Sequence, residues 1–507
     1  MTDTADQGFS SRINRMRGIL RVLVYLGLGA IAALGQAPWD LWPLTIFALA
    51  LVYALFRQTE GLRQAAVLGG VVGTGYFMLA LSWIIEPFLV DVARHGWMAP
   101  FALVGLSAFM ASYWALAFGV ARALGGGALA LIVCFAVGAW LRGYLFTGFP
   151  WAQVGHIWID TPTLHWASVV GALGLCAITM AAAIALWHLV SGQRHIGALV
   201  VVAIAALFLT GPTITAHSPN MAADRPVVRL IQPNAAQHEK WDPQKIPIFF
   251  NRQLEYSAAG EARPDLIVWP ETSVPVLLNH ADSTLASISD AAGQVPLVLG
   301  IQRLDGPRFY NSAIFLGADG QVDAIYDKHH LVPFGEFVPF GEIMKRFGIA
   351  GMAARDGNGY SSGPGAQVVD LGAVGKALPL ICYEGVFARD VAAAPERPGF
   401  LLMITNDAWF GEVSGPYQHL AQARLRSVEQ GLPMVRAANT GVSAVIDARG
   451  HITHHLPLGQ AGWFDAPLPL PHPPTIYARI GDGVVLGVLI ALLGASIAIG
   501  RWRGQNA

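Results

Sequence analysis

A carboxylate, an ammonium group and a thiol stand near the ends of three apolar segments of this chain, as Glu271, Lys328 and Cys382. Reactive groups are often carried where a buried strand gives way to a loop, because the strand fixes their position. A cysteine attacks as the thiolate, so it needs a base or a positive charge beside it. If the three side chains meet, Glu271 accepts the proton of Cys382, and Lys328 balances the charge and stabilises the oxyanion of a tetrahedral intermediate. The combination predicts acyl transfer through a thioester.

Each of these residues alone also has an ordinary structural explanation. A glutamate after Pro270 is often a helix N-cap or a surface charge, and a cysteine that ends a strand is most often part of the core. The prediction therefore depends on one fold bringing the three segments together.

All three residues lie in residues 217–479, where the composition differs from the rest of the chain. After residue 217, prolines and polar residues become frequent, and short β-type runs alternate with polar or helical stretches. Several runs are almost entirely apolar, as expected for strands buried on both faces. They predict an α/β layered domain of about 260 residues, near the upper limit for a single core. The predicted strands are 227–232, 266–269, 296–301, 311–316, 377–382, 400–405, 434–438 and 442–447.

The remainder of the chain has the composition of a membrane protein. Of the 507 residues, 54% are hydrophobic and 13% are charged, whereas soluble proteins carry about 25% charged residues. A helix that crosses the hydrocarbon core needs about 20 mostly apolar residues. Seven segments before the α/β domain and one after it approach this description: 20–34, 41–56, 65–85, 98–121, 123–141, 164–190, 196–210 and 484–499.

Basic residues between these segments predict how the chain crosses the membrane. The positive-inside rule places loop arginines in the cytoplasm. With a cytoplasmic N-terminus, alternate crossings put the following residues on that side: Arg12, Arg15, Arg17, Arg57, Arg63, Arg122, Arg194, Arg501 and Arg503. The α/β domain then lies outside. The alternative for the first segment is a cleavable signal peptide containing residues 30–32, but its removal would spoil the parity that places the arginines together.

These observations divide the chain into four parts. Residues 1–18 are predicted as a cytoplasmic N-terminal tail and residues 19–216 as a bundle of seven transmembrane helices. Residues 217–479 are predicted as the extracytoplasmic catalytic domain, and residues 480–507 as a C-terminal transmembrane helix with a short cytoplasmic tail. The predicted fold is an α-helical membrane bundle of about eight transmembrane helices with an α/β domain.

Composition also argues against other classes of protein. The net charge of -1 leaves no basic surplus for the phosphate backbone of a nucleic acid. Cys134 and Cys176 lie inside apolar segments without the spacing of a zinc site, and Cys382 makes the number of cysteines odd. A disulfide framework is therefore excluded as the organising principle. We expect no metal and no cofactor.

Four motifs in the α/β domain connect these residues with a known family. They are LIVWPE at 266–271, YDKHHLVPFGE at 326–336, ICYEG at 381–385 and TNDAWFG at 405–411. In sequence and order they resemble the motifs of the nitrilase superfamily, whose members carry a Glu-Lys-Cys triad on an αββα sandwich. With its helical segments included, the chain resembles the bacterial apolipoprotein N-acyltransferases over essentially its full length.

The resemblance implies a two-step transfer at the outer face of the cell inner (cytoplasmic) membrane. Cys382 would attack the sn-1 ester of a phospholipid, with phosphatidylethanolamine as the expected donor, and would leave a lysophospholipid. The α-amino group of an S-diacylglyceryl cysteine at the N-terminus of an apolipoprotein would then take the acyl chain as an amide. Glu271 would accept a proton in both steps. The expected form is a monomer with a periplasmic catalytic domain.

The resemblance also implies roles for residues around the triad. Glu336 matches a second glutamate that orients the catalytic groups. Tyr383 and Glu384 match positions beside the nucleophile, where Glu384 would steady the loop or the incoming amine. Trp241 matches a loop tryptophan linked to lipid entry, with an interfacial anchor as an equal alternative. Asn406 is expected to shape the floor of the site or the acyl pocket, although Asn-Asp after a strand often only makes a turn.

Two further segments are interpreted from their position. Residues 337–365 carry apolar side chains followed by a stretch rich in glycine and serine, and the resemblance favours a membrane-dipping lid over a surface helix and loop. Residues 83–86 and 148–151 are expected at the outer membrane interface. They either line a phospholipid entrance or belong to an ordinary aromatic belt.

Two other functions are alternatives. A membrane-tethered nitrilase-like amidase or hydrolase would use the same triad, with water in place of the amine, but a soluble substrate does not require eight spans. A transporter with an outer receptor domain would need ionisable groups within its spans, and the predicted spans nearly lack Asp, Glu and Lys. The acyltransferase is therefore the preferred prediction.

Overall fold

The computed structural model describes residues 18–192, 194–215, 225–339 and 359–505. These residues form two compact units. The helical unit contains the described residues within 1–88, 93–216 and 474–507, and the sandwich unit contains those within 89–92 and 217–473.

Long apolar helices make up most of the helical unit. They are α1 (Gly18–Ala33), α2 (Trp42–Arg57), α3 (Leu62–Ala80), α4 (Ala99–Ala123), α5 (Ala128–Tyr144), α6 (Ala167–Val190), α7 (Arg194–Ile214) and a C-terminal helix, Ile476–Gln505. Short helical turns connect them at Ser82–Ile85, Glu86–Leu89, Val92–His95, Gly96–Met98, Leu145–Thr147, Val154–Trp158 and Pro162–Trp166.

By length and composition, five helical stretches within the described residues can cross a membrane: Val92–Ala123, Ala128–Thr147, Pro162–Val190, Gly197–Ile214 and Ile476–Ile499. A sixth is possible if Leu62–Ala80 and Ser82–Leu89, bent by 65°, form one span. α1 and α2 are apolar but have only 16 residues each. The chain is a multi-pass membrane protein with five or six candidate spans, and the expected number of about eight stays a prediction.

The two aromatic segments predicted at the outer interface contact each other within the helical unit. The ring centroids of Trp83 and Trp151 are 4.6 Å apart. Buried Arg142 of α5 donates to the main-chain oxygens of Phe149 at 2.7 Å and Trp151 at 2.5 Å. These bonds satisfy a buried guanidinium and fix the segment to α5. A role of the segment in phospholipid entry stays a prediction.

In the part of the sandwich unit that the structure describes, the strands form two six-stranded sheets. Their strands within the described residues are β1 (Val227–Gln232), β2 (Leu266–Val268), β3 (Leu297–Asp305), β4 (Arg308–Leu316), β5 (Val322–Asp327), β6 (Val369–Asp370), β7 (Lys376–Ile381), β8 (Phe400–Thr405), β9 (Met434–Ala438), β10 (Ser443–Ile446), β11 (Ile452–Leu456) and β12 (Gly462–Pro467). The first sheet has the order β12-β1-β2-β3-β4-β5, and the second has the order β11-β10-β9-β8-β7-β6.

Helices cover the outer faces of both sheets. α8 (Ile246–Ala258) and α9 (Asp282–Ala292) share an apolar cluster with the first sheet, and α10 (Ala388–Ala392) and α11 (Gly415–Gln430) share another with the second. Between the sheets lies a third cluster with side chains from both, among them Val228, Val298, Phe315, Ile381, Leu402 and Val445. The order of layers is therefore αββα, as predicted, because apolar strands need cover on both faces.

Four strands have no counterpart in the prediction: β5, β6, β11 and β12. β5 alternates between partly exposed, exposed and buried residues, β11 is mostly exposed, and β6 has only two residues. None of these strands is a continuous apolar run. β12 pairs antiparallel with β1, from which it is distant in sequence. The predicted strand 377–382 is also one residue too long, since Cys382 begins a helical turn.

Strand direction brings the predicted reactive residues to common edges. β2 is parallel to β3, and β3-β4 and β4-β5 are antiparallel, so β2 and β5 run in the same direction. β7 and β8 are parallel. Glu271 therefore follows β2 and Lys328 follows β5 at one edge of the first sheet, while Cys382 and Asn406 follow β7 and β8 at one edge of the second.

Candidate active site

The three residues predicted for catalysis lie together in a buried site of the sandwich unit. Their exposed fractions are 6% for Glu271, 1% for Lys328 and 5% for Cys382. Lys328 Nζ is 3.4 Å from Glu271 Oε1, and the charges of both residues act on Cys382. Electrostatic interactions are stronger in such a place than in bulk water. The catalytic role of each residue remains a prediction.

Hydrogen-bond donors surround the Glu271 carboxylate. Oε1 accepts from Asn311 Nδ2 at 2.7 Å and from Lys328 Nζ at 3.4 Å. Oε2 accepts from the main-chain N–H of Asn406 at 2.9 Å. An ionised carboxylate only accepts hydrogen bonds, so the three donors orient the form of Glu271 that can take up a proton.

Glu336 lies on the other side of the lysine. Its Oε1 accepts from Lys328 Nζ at 2.9 Å and from Asn311 Nδ2 at 3.0 Å, and its Oε2 accepts from the main-chain N–H of Val332 at 2.9 Å. Asn311 thus donates from one amide nitrogen to both glutamates. The contacts match the orienting role that the resemblance implies for Glu336, and they add Asn311 to the site.

Lys328 keeps its charge in spite of burial. Burial by itself lowers the pKa of a lysine, but the carboxylates of Glu336 and Glu271 together raise the pKa of Lys328 well above its ordinary value. A permanent positive charge in a buried site is suited to stabilising an oxyanion.

Cys382 is a thiol in the resting site. Burial raises the pKa of Cys382, and the Glu271 carboxylate raises it further, whereas Lys328 lowers it. Of the two charged neighbours, only Lys328 favours the thiolate, and the catalytic roles of both stay predictions. The proton has to leave during the attack, and this requires a base beside the sulfur.

Glu384 holds the turn that carries the cysteine. Cys382 has a φ of 51° and begins the turn Cys382–Val386. The Glu384 carboxylate is fully buried and accepts from the main-chain N–H groups of Ile381 at 2.7 Å and His329 at 2.8 Å and from the Tyr326 hydroxyl at 2.8 Å. Since both of its oxygens face these donors, the geometry favours loop support by Glu384 over contact with an incoming amine.

Asn406 and Tyr383 support the site in different ways. The Asn406 main chain donates to Glu271, and its side chain joins Gln237 and Asn439 at 2.8 Å each. Tyr383 is buried, and its ring packs edge-on against Phe387, with 4.8 Å between the ring centroids. Asn406 thus lies at the Glu271 carboxylate, whereas the Tyr383 ring belongs to an aromatic group beside the nucleophile turn.

Trp241 lies next to a buried lysine that the sequence analysis did not single out. Lys240 Nζ donates to the main-chain oxygen of Glu271 at 3.2 Å and to Thr272 Oγ1 at 2.9 Å, and it lies 5.4 Å from the Trp241 ring centroid. Burial lowers the pKa of Lys240 to about 8, although the Glu271 charge opposes this. Trp241 also lines a largely apolar cavity with Phe249. Its assignment to lipid entry or to anchoring stays a prediction.

Asn311, Lys240 and His419 of the site carry no motif that the sequence analysis used. Asn311 had one usable signal, because Asn311 and Ser312 are polar residues at the start of a predicted strand whose other residues are apolar. His419 lies in α11, with Nε2 3.2 Å from the main-chain oxygen of Cys382. Its contact joins residues far apart in sequence, so no local pattern indicates it.

Residues 340–358 of the predicted lid lie outside the described residues. Within the described ranges, no group of three or more His, Cys, Asp or Glu side chains is arranged to hold a metal ion. What the site can do chemically is draw an acyl group onto a buried sulfur, with Glu271 as the base and Lys328 as the stabilising cation, and then release it to a second nucleophile.

Comparisons with known proteins match one family to the sandwich part of the chain and another to the helical part. The family described as carbon-nitrogen hydrolase matches residues 228–478. The family described as the apolipoprotein N-acyltransferase N-terminal domain matches residues 28–185.

Similar proteins match along nearly the whole length. An apolipoprotein N-acyltransferase of Rhodopseudomonas palustris is 36% identical over 507 residues, covering 94% of each chain. One of Brucella melitensis is 35% identical over 519 residues, covering 97% of each chain. Among solved structures, a mutant of a Nesterenkonia amidase from the nitrilase superfamily matches 52% of this chain and 98% of its own, with 19% identity and a TM-score of 0.39.

Proposed function

The chain belongs to the apolipoprotein N-acyltransferase family, in the nitrilase superfamily, and is an acyltransferase; from that premise we propose the route of its acyl group. The acyl group leaves the sn-1 position of a glycerophospholipid, with phosphatidylethanolamine as the proposed donor, and forms a thioester on Cys382. It then passes to the α-amino group of S-diacylglyceryl cysteine at the N-terminus of an apolipoprotein. This transfer is the final step of lipoprotein maturation.

The observation that carries the proposal is the convergence of a thiol, a carboxylate held by three donors and a lysine that keeps its charge. Cys382 is protonated at rest, so the attack needs a base. Glu271 is the carboxylate whose charge acts on this sulfur. Lys328, 3.4 Å from Glu271, is the cation that can stabilise the developing oxyanion.

In the first half-reaction, Glu271 accepts the Cys382 proton as the sulfur attacks the ester carbonyl carbon. A carbon–sulfur bond forms, and the carbonyl oxygen becomes an oxyanion beside Lys328. The intermediate collapses when the bond to the glycerol oxygen breaks. Glu271 returns the proton to that oxygen, so the products are a lysophospholipid and an acyl-enzyme, and the site is ready for a second nucleophile.

In the second half-reaction, the amine attacks the thioester carbon and gives a proton to Glu271. The carbon–sulfur bond then breaks, and the sulfur takes the proton back as a thiol. An amide is more stable than a thioester, so the transfer runs downhill. The Cys382 thiol, favoured by burial in the free enzyme, is thereby restored.

The arginine distribution along the chain supports an inner-membrane location with a periplasmic catalytic domain. On this topology residues 1–18 are a cytoplasmic tail, 19–216 the first spans, 217–479 the catalytic domain and 480–507 the last span and tail. A monomer is the proposed working unit.

The remaining rival is a hydrolase, in which water resolves the acyl-enzyme. Full-length relatives that are apolipoprotein N-acyltransferases favour the amine. The transporter is set aside, because the chain belongs to an acyltransferase family.

Intact-protein mass spectrometry tests the proposed route. The full chain in detergent micelles is incubated with phosphatidylethanolamine whose two acyl chains differ in mass. We expect an adduct with the mass of the sn-1 chain, removable by hydroxylamine. Adding a diacylglyceryl-cysteine peptide should clear the adduct and yield the N-acylated peptide. Free fatty acid without acylated peptide would instead support the hydrolase.

Two cysteine variants locate the adduct. Cys382→Ala should form none, whereas the matched double variant Cys134→Ala with Cys176→Ala should form it at the wild-type rate. An adduct that persists in Cys382→Ala would contradict the proposed nucleophile.

A further inference from the structure

A cluster of three buried polar side chains lies next to the nucleophile turn, Cys382–Val386. His419 of α11 and Asp407, which follows β8, are each 0% exposed, and so is Arg436 of β9. His419 Nδ1 lies 2.9 Å from Asp407 Oδ1. Arg436 Nη2 donates to Asp407 Oδ2 at 2.5 Å and lies 3.3 Å from the same ring nitrogen. Buried charges are costly unless they are paired, so this group is anchored in one arrangement.

The other ring nitrogen of His419 contacts the main chain of the nucleophile residue. His419 Nε2 is 3.2 Å from the main-chain oxygen of Cys382. Cys382 has a φ of 51°, in a region that residues with a Cβ occupy sparsely unless their surroundings hold them there. A contact to this carbonyl group therefore helps to hold Cys382 in a backbone conformation that is otherwise unfavourable.

The direction of that carbonyl also sets the direction of the groups around it. In a trans peptide the C=O and the following N–H point to opposite sides. Holding the Cys382 oxygen toward His419 therefore turns the Tyr383 N–H to the opposite side and limits rotation of the Cys382 backbone that aims Sγ. A small rotation here would carry the sulfur away from Glu271 and Lys328.

We propose that His419 is a positioning residue for the acyl transfer, acting through its hydrogen bond to the Cys382 carbonyl oxygen. The proposal rests on the proposed function, since it takes Cys382 as the nucleophile. His419 does not touch the reacting atoms in this assignment. It holds the turn from below, while Glu384 holds the same turn from the side of β5.

The imidazole cannot serve both of its acceptors equally. Burial lowers the pKa of His419 in spite of the Asp407 carboxylate, so the ring is neutral near neutral pH and carries one N–H. In this assignment the N–H is on Nε2, facing the Cys382 oxygen, while Nδ1 accepts from Arg436 Nη2 at 3.3 Å. Asp407 has further donors in Arg436 and the Thr405 hydroxyl. The contact to Cys382 is therefore the one that depends on His419.

Two substitutions separate the contacts. The amide nitrogen of asparagine lies where His Nδ1 lies, and that of glutamine lies where His Nε2 lies. His419→Asn can thus donate to Asp407 but not to Cys382, whereas His419→Gln can donate to Cys382 but not to Asp407. A purely structural role toward Asp407 predicts that the asparagine variant works better, and the positioning role predicts the reverse.

The measurement is the single-turnover rate of Cys382 acylation by phosphatidylethanolamine in micelles, followed by mass spectrometry over a range of lipid concentration. We expect His419→Gln to keep the maximal rate within about threefold of the wild type and His419→Asn to lose about a hundredfold, as expected for a misplaced nucleophile. The lipid concentration for half-maximal rate should not change in either variant. His455→Gln, on the exposed part of β11, should match the wild type.

Several results would overturn the proposal. One is a His419→Asn variant as fast as the wild type. Another is a folded His419→Gln variant as slow as His419→Asn. A third is a change in the lipid concentration for half-maximal rate with no change in the maximal rate. If His419→Asn is too unstable to assay, the glutamine variant still decides, because it must keep nearly the full rate. Failure of the proposed function looks different, since an adduct in Cys382→Ala would remove the nucleophile and this role with it.

Discussion

Nζ of Lys328 donates to Glu336 at 2.9 Å, and the same nitrogen lies 3.4 Å from Glu271. The shorter contact pairs the ammonium mainly with Glu336. Glu271 therefore lies beside a cation without being fully paired with it. Its carboxylate can accept the proton of Cys382, while the lysine keeps the charge that an oxyanion requires.

Replacing Glu336 by glutamine should slow the acylation of Cys382 although the triad stays intact. Lys328 then pairs with Glu271, and the pKa of Lys328 falls, because Glu336 raises it in the wild type. We expect a loss of up to about a hundredfold at neutral pH. The alkaline limb of the rate profile should move to lower pH, because the ammonium is lost sooner. Acylation rates measured from neutral to alkaline pH provide the check.

The matched control is Glu396→Gln, which removes an exposed partner of Lys376. Its profile should coincide with that of the wild type. A Glu336→Gln profile that also coincides would show that the nearer carboxylate has no part in the reaction.

Replacing Asn311, the shared donor to the two glutamates, by aspartate should shift the pH dependence of acylation. Asn311→Asp places a third carboxylate 2.7 Å from Glu271 Oε1 and 3.0 Å from Glu336 Oε1 in place of the shared amide. Mutual repulsion then makes proton uptake easier, so the acid limb of the acylation profile should move to higher pH. Asn311→Ala removes the donor without adding charge and should leave that limb nearer the wild type. Equal limbs in the two variants would argue against the assignment, and Asn279→Asp is the exposed control.

The thiol of Cys382 should react slowly with a small alkylating reagent at neutral pH. Burial and the Glu271 charge raise its pKa above the ordinary value, so the thiolate fraction and the alkylation rate should rise about tenfold per pH unit in the alkaline range. Lys328 lowers this pKa, so Lys328→Met should slow alkylation further at any given pH. The double variant Cys134→Ala with Cys176→Ala leaves Cys382 as the single cysteine. A rate already at its plateau at pH 7 would show a preformed thiolate.

Replacing Lys240 by methionine should stabilise the fold at neutral pH although it lowers activity. Its pKa in the folded chain is about 8, below the value of about 10.4 for an unfolded lysine. The charged form is therefore disfavoured by folding below about pH 8, and the cost disappears as the pH rises toward 10.4. At pH 7 the unfolding temperature of Lys240→Met should exceed that of the wild type, and this difference should shrink by about pH 10.

The same variant should acylate Cys382 more slowly, because it loses the bonds from Lys240 to the Glu271 main chain and to Thr272. Lys245→Met, a change of a lysine that is 43% exposed, should alter neither property. A constant difference in unfolding temperature between Lys240→Met and the wild type across this pH range would contradict the buried charge.

Much of the fold follows from local pattern. β2 and β8 are almost entirely apolar, and β1 is apolar except for Arg229 and Gln232. Strands buried on both faces need a covering layer on each face. β5 and β11 carry exposed residues and no such signal, because their register comes from a neighbouring strand. Pairing between β12 and β1 is likewise a long-range choice that local sequence does not express.

By itself the sequence determined that Glu271, Lys328 and Cys382 stand where strands give way to loops, since hydropathy and motif order are local properties. Only the tertiary structure decided which groups hold them. Asn311 lies between two glutamates, Lys240 contacts the main chain of Glu271, and His419 contacts the main chain of Cys382. It also decided the protonation of Cys382, because burial and the Glu271 charge raise the pKa of this thiol and only Lys328 lowers it. A pKa depends on solvent exclusion and on distances between side chains, and both exist only after the chain has folded.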